Sequence, residues 1–235
     1  MSLRAVIFDI DGTLSDWDTA IGRAMERLLP QVPSGERAGL AERFQQSLSQ
    51  RAFTMRDGIV VDRRYWLLLA DPVPIWSAVL SGADPDLAAR LAHRFRELLK
   101  PVVYLDAAPC LGELHGRFRL GVLTNNPRAD ATIAALELAL YFDAVVFPGD
   151  EQRKPKPKAF LIACAELGVE PSRTAYVGDS ISHDVEGAME AGLRAVWIDR
   201  HAEKHNLPEG AFRVTSLLDL PALLDGLATE AGAGV

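Results

Sequence analysis

The chain is expected to fold as α/β, a doubly wound, Rossmann-like parallel sheet core interrupted by an inserted all-helical cap. Short apolar runs that are continuous rather than alternating in hydrophobicity suit parallel strands covered on both faces. Helix signals alternate with those runs from about residue 119 onward, the rhythm of a doubly wound sheet. The stretch 15–100 breaks the rhythm, and 235 residues suit one substantial core with an inserted piece.

The expected strands are Arg4 to Asp9, Arg119 to Thr124, Asp143 to Phe147, Thr174 to Gly178 and Arg194 to Ile198. Asn126 can cap a helix that has Pro127 at its first position. Pro157 opens a second helix running to Gly168, and Ser182 and Gly192 bracket a third. Between residues 15 and 100 no strand pair stands out, but Asp84 and Pro85 start a helix with Leu87, Leu91, Phe95 and Leu98 on one face. Gly35, the Asp71–Pro74 segment and Ser81-Gly82 divide this insert into several helices. The expected division is therefore 1–14 with 101–235 as the core and 15–100 as the cap. The Ala/Gly-rich end after Thr229 is expected to fray.

Hydrophobic residues make up 49% and charged residues 24% of the chain, which excludes a disordered tail, a collagenous repeat or a disulfide scaffold. Cys110 and Cys164 lie in apolar segments and read as packed, reduced thiols. No apolar window is long enough to span a bilayer, and Asp9 interrupts the first apolar run before a signal-peptide core can form. The cytoplasm is the expected location, with no membrane partner. A net charge of −7 argues against a nucleic-acid partner. The insert carries 12 basic and 11 acidic residues, leaving 13 and 21 for the core, so the body is acidic and the insert near neutral.

Four segments carry chemistry. Asp9-Ile10-Asp11-Gly12-Thr13 puts two carboxylates at i and i+2 where the first strand ends, at the sheet edge where open α/β folds bind ligands. Two close acids invite a magnesium ion or a split into base and acid roles. Thr124-Asn125-Asn126 offers a hydroxyl, an amide and a helix start, either an oxyanion seat or an ordinary cap. Only five lysines stand against 20 arginines, and three of the five fall within Lys154-Pro155-Lys156-Pro157-Lys158. Stiffened by the prolines, Lys154 suits a charge clamp between a carboxylate and a phosphoryl group, while Lys156 and Lys158 read as solvated. Finally, Gly178-Asp179-Ser180-Ile181-Ser182-His183-Asp184 delivers Asp179 as a metal ligand and Asp184 as a group that orients water or Lys154. His183 reads as a surface residue.

In this order and combination the segments resemble the haloacid dehalogenase superfamily, with a helical cap inserted after the first motif. The resemblance implies that Asp9 is the nucleophile that takes a phosphoryl group and that Asp11 protonates the leaving group and then activates water. It implies magnesium held by the Asp9 side chain, the Asp11 backbone carbonyl and Asp179, with Thr124, the Asn125 amide and Lys154 on the phosphoryl oxygens and Asp184 behind them. The expected activity is hydrolysis of a small phosphorylated metabolite by a monomer or homodimer. Dehalogenases of this superfamily lack the second aspartate, whereas this chain has Asp11. Phosphonatases need a cap lysine, and none occurs in residues 1–99. A phosphomutase would use the same four motifs and stays open, as does a non-catalytic binding protein on this scaffold. Trp17, Phe53, Met55, Tyr65, Trp66 and Trp76 are candidates to line the cap, and Arg23, Arg51, Arg56, Arg63 and Arg64 to meet a second anion.

Overall fold

In the computed structural model the described residues are 2–56, 59–62, 64, 66–80, 84–202 and 205–230. Of the positions singled out above, Arg63, Tyr65, Ser81, Gly82 and the end beyond residue 230 lie outside them. In chain order the first elements are β1 (Ala5–Phe8), α1 (Trp17–Leu28), α2 (Ser34–Arg37) and α3 (Leu40–Ala52). A short ribbon, β2 (Phe53–Arg56) and β3 (Ile59–Asp62), is followed by α4 (Val73–Val79), α5 (Pro85–Leu98) and α6 (Ala107–Leu114). Then come β4 (Arg119–Leu123), α7 (Ala129–Ala135), β5 (Ala144–Val146), α8 (Pro157–Leu167) and β6 (Thr174–Gly178). The chain finishes with α9 (Glu186–Glu190), β7 (Arg194–Ile198), β8 (Phe212–Val214) and α10 (Leu220–Glu230).

Contacts divide the chain into two compact units, Met1–Trp17 with Pro101–Val235, and Asp18–Lys100. The first holds a six-stranded sheet in the order β5-β4-β1-β6-β7-β8, every neighbouring pair parallel. Its strands are continuous apolar runs because both faces are covered. Val6, Phe8, Leu120, Val122, Ala175, Val177, Val196 and Ile198 face the α6 and α10 side. Ala5, Ile7, Leu123, Tyr176, Ala195 and Trp197 face α8 and α9. Connections run outward in opposite directions from β1 and β6, so the switch point of the sheet lies between these two strands. Strand β8 escaped sequence reading because Arg213 at its centre interrupts the apolar run by which the other strands are read.

Several helix starts differ from expectation. Helix α7 begins at Ala129 rather than Pro127, and Asn126 Oδ1 accepts the Arg128 N–H at 2.9 Å in the turn ahead of it. The helix after β6 opens earlier than expected, as a π-helical turn at Ile181–Val185 capped by Ser180 rather than Ser182, the Ser180 Oγ accepting from the His183 N–H at 3.3 Å. Helices α5 and α8 start at Pro85 and Pro157 as expected, and α8 ends on Gly168 at φ +64°. Cys110 and Cys164 are free and buried, and burial pushes the Cys110 thiol up to about 12.

The second unit is helical except for β2 and β3, which pair antiparallel from Phe53↔Asp62 to Arg56↔Ile59. The all-helical expectation is corrected at this point. The β-branched Ile59-Val60-Val61 run next to an Asp57-Gly58 pair is a hairpin signature that helical periodicity elsewhere in the insert obscured. Phe44, Trp76 and Phe95 form the centre of the unit, with ring centroids 5.0–5.5 Å apart. Trp76 is therefore core rather than lining, fully buried. No helix among the described residues is long and apolar enough to cross a membrane.

Gly187 on α9 sets how closely that helix approaches the Lys154 segment. A Cβ there would lie 2.6 Å from the Pro155 carbonyl oxygen and 2.7 Å from the Phe160 ring. Backbone cannot yield as a side chain can, so Gly187→Ala is expected to cost about 1–3 kcal/mol. Urea unfolding measures this, and an unchanged midpoint would contradict the packing described.

Candidate active site

Four chain segments converge just beyond the carboxyl ends of the central strands. Asp9 is anchored at the end of β1, where its N–H donates to the Val177 carbonyl of β6 at 2.9 Å. The chain then turns sharply, the Ile10 carbonyl accepting from Leu14 and Ser15, and the Gly12 N–H donating to Ser15 at 3.0 Å. Gly12 adopts φ +87°, and a Cβ on it would lie 2.3 Å from Asp179 Oδ2. Only glycine allows both the left-handed turn and the close approach of the Asp179 carboxylate. The outgoing and returning chains pair beside the turn, Asp16 N–H with the Val102 carbonyl at 2.7 Å and Tyr104 N–H with the Leu14 carbonyl at 3.0 Å.

Lys154 is the hub. Its ammonium lies 2.8 Å from Asp9 Oδ1 and 2.6 Å from Asp184 Oδ1, and it donates to the Tyr176 hydroxyl at 2.8 Å. Its side chain is only 3% exposed. Asn125 clasps the backbone of the same residue, Nδ2 donating to the Lys154 carbonyl at 3.1 Å and Oδ1 accepting its N–H at 3.0 Å. Behind the ammonium, Tyr176 donates to the Leu123 carbonyl at 3.0 Å. Asp184 Oδ2 accepts the Ser180 N–H at 3.0 Å. Gly178 makes room for Asp184, since a Cβ there would sit 2.4 Å from its carboxyl carbon.

Burial alone would discharge Lys154, but the Asp184 and Asp9 carboxylates outweigh it and raise its pKa, so the ammonium is charged throughout the neutral range. Asp9 feels the opposite balance. Burial lifts its carboxyl above the ordinary range, Lys154 pulls it back, and the Asp184 charge adds to the lift. Burial and the two carboxylates also raise the Tyr176 phenol well above its ordinary value, leaving it a neutral donor. Carboxylate oxygens of Asp9, Asp179 and Asp184 lie within 4.8 Å of one another.

Thus Asp9, Lys154, Asp179 and Asp184 are brought together, with Asn125 bonded to the Lys154 backbone. Thr124 is buried beside them, its Oγ1 accepting the Asn126 N–H at 3.2 Å. Asp11 takes hydrogen bonds from Trp17 Nε1 at 2.9 Å and Asn126 Nδ2 at 3.3 Å. Trp17, read from sequence as cap lining, falls instead in the first unit. Lys156 and Lys158 are exposed.

Sequence reading missed Tyr176, whose one signal was a hydroxyl-bearing aromatic in a wholly buried strand. It also missed the Asp106–Arg200 brace, which no spacing could reveal. Arg200 donates to Asp106 Oδ2 and to the Thr13 carbonyl, each at 2.6 Å, and stacks on Tyr104 at 3.9 Å. Despite partial burial, Arg200, the Leu217 N–H and Ser216 together hold the Asp106 carboxyl below its ordinary range. This brace pins the turn that carries Asp11.

Removing the hub leaves two buried carboxylates facing each other. Lys154→Met is expected to destabilise the protein by about 3–5 kcal/mol at about pH 8. Asp9, already raised, rises further in that variant. A carboxyl whose folded pKa exceeds its unfolded one favours the folded state at low pH and loses that contribution as pH rises through the folded value. The deficit should therefore shrink toward about pH 5. Urea unfolding in chelator-containing buffer at both pH values checks this, and a pH-independent deficit would contradict it.

Comparison with known proteins identifies the family. The family model for haloacid dehalogenase-like hydrolases matches residues 3–192. The human N-acylneuraminate-9-phosphatase is 31% identical over 240 aligned residues, covering 96% of this chain and 95% of that one. Among solved structures, a phosphatase of the same family from Thermococcus onnurineus is 30% identical with a TM-score of 0.61, covering 95% of this chain and 99% of that one. A 2-haloacid dehalogenase from Pseudomonas syringae is 26% identical with a TM-score of 0.60, covering 96% and 100%. With the family model spanning most of the sequence and full-length relatives above 30% identity, the chain belongs to the haloacid dehalogenase-like hydrolase family.

Proposed function

We propose that this chain is a magnesium-dependent hydrolase of small soluble phosphomonoesters that works through an aspartyl-phosphate on Asp9. The observation that carries the reading is Asp11, a second carboxylate two residues beyond the buried Asp9 and held by two neutral donors. Displacement at a halogenated carbon expels an anion that needs no proton, whereas an alkoxide leaving phosphorus does. This separates the chain from the dehalogenase among its structural neighbours. The named activity of the human relative points the same way.

In this reading an Asp9 carboxylate oxygen bonds to phosphorus as the ester P–O bond breaks, and Asp11 gives its proton to the departing oxygen. Asp11, now a carboxylate, takes a proton from water as the water oxygen bonds to phosphorus. The bond from phosphorus to Asp9 then breaks and inorganic phosphate leaves. Lys154 offsets negative charge beside Asp9, and Thr124 and the backbone N–H of Asn125 serve the phosphoryl oxygens with it. Asp184 fixes Lys154, since both its oxygens are engaged, one by the Lys154 ammonium and the other by the Ser180 N–H.

The residues present fit a hard divalent cation. Asp9 and Asp179 offer oxygens within 4.8 Å of each other, and the missing side chain of Gly12 admits the Asp179 carboxylate against the turn. The Asp9 and Asp179 side chains and the Asp11 backbone carbonyl would hold magnesium. When bound, it supplies positive charge between the nucleophile and the phosphoryl oxygens.

The test is a panel of phosphomonoesters, including p-nitrophenyl phosphate, assayed with protein stripped by chelator and then resupplied with magnesium. Activity should require magnesium, and Asp9→Asn should lower turnover by on the order of 10⁴ or more. Undiminished turnover by Asp9→Asn, or by the stripped protein, would contradict the reading.

A further inference from the structure

We propose that Trp17 is a positioning residue for the acid–base group, its indole N–H fixing the orientation of the Asp11 carboxylate. The inference rests on the role given to Asp11 above. Trp17 Nε1 donates to Asp11 Oδ1 at 2.9 Å, while Asn126 Nδ2 reaches Oδ2 at 3.3 Å. An indole N–H is a donor only, so the bond has one sense: Oδ1 accepts, and the plane of the Asp11 carboxylate is set by the ring. The orientation of the Asn126 amide is fixed independently. Its Oδ1 accepts the Arg128 N–H at 2.9 Å, and its Nδ2 also donates to Thr132 Oγ1 at 3.3 Å. Asn126 thus makes the longer bond and shares its donor group, whereas Trp17 makes the short one.

The local chain explains why a large ring can do this. Asp11 and Ser15 form a bridge across the turn, Arg200 pins the Thr13 carbonyl, and Asp16 is tied to Val102. These bonds hold the six-residue separation between Asp11 and Trp17 in one geometry. Trp17 is also the last residue of the first unit and the first residue of α1. The restraint on Asp11 therefore comes from the point where the chain leaves the core. A ring recruited only to cover apolar surface has no need to aim its one polar atom at a carboxylate.

A leaving group that needs protonation separates this role from a structural one. The measurement is kcat/KM for β-glycerol phosphate, which expels an alkoxide, and p-nitrophenyl phosphate, which expels a stabilised phenolate. Trp17→Phe is expected to lower the glycerol phosphate value about tenfold more than the nitrophenyl value, part of the roughly 10²–10⁴-fold a placed acid contributes. The differential should vanish in an Asp11→Asn background. Protein carrying 3-benzothienylalanine at position 17, which keeps the ring shape but lacks the N–H, should behave as Trp17→Phe does and serves if that variant folds poorly. Equal losses on both substrates, or no loss, while Asp11→Asn alone keeps the selective defect, would overturn the role of Trp17 and leave that of Asp11 standing. If Asp11→Asn shows no selectivity between the two esters, the acid–base reading of Asp11 falls and this inference with it.

Discussion

A charged ammonium with its side chain 3% exposed is costly unless oxygens surround it, and meeting that demand organises the catalytic half of this protein. Lys154 draws Asp9 from the end of β1, Asp184 from the turn after β6, and Tyr176 from within β6. Asn125, following β4, fastens the lysine backbone from the other side. The partners arrive from β1, β4 and β6, so the ion cluster can form only when the parallel sheet is in register. The chemistry and the fold are the same constraint seen at two scales.

In the proposed mechanism two aspartates divide the labour. Asp9 is buried, paired with a cation and aligned by a backbone bond to β6, which suits an oxygen that must attack from a fixed position. Asp11 accepts from the Trp17 indole and the Asn126 amide, neutral donors that suit a group which gains and loses a proton. Gly12 lies between them in both sequence and function. Its left-handed turn directs the two carboxylates into different surroundings, and its bare Cα admits Asp179. The Arg200–Asp106 brace then keeps the turn from relaxing.

Much of this was legible in the sequence because the information is local. A parallel strand buried on both faces must be a short apolar run, and a catalytic residue at its end must interrupt that run with charge. The strands that carry Asp9, Thr124 and Asp179 could therefore be read directly. Lys154 stood out because lysine is rare in a chain that otherwise uses arginine. Illegible features depend on residues far apart along the chain or on choices between equivalent local geometries. Arg200 meets Asp106 across 94 positions, and no periodicity reports such a pairing. Asn126 could cap a helix at once or close a turn first, and composition does not choose between them. The β2–β3 ribbon was hidden by its helical surroundings, and Trp17 was read by its apolar bulk when its one polar atom set its place.

The central claim is a covalent bond between phosphorus and Asp9, and trapping that bond tests it most directly. Protein mixed with substrate and magnesium, quenched in acid and reduced with borohydride, converts an acyl phosphate on aspartate to homoserine, which peptide mass spectrometry locates. The account predicts homoserine at position 9, dependent on substrate. Turnover of the same substrate with the label on another residue, or with none under conditions that trap an acyl phosphate in a control enzyme, would contradict it.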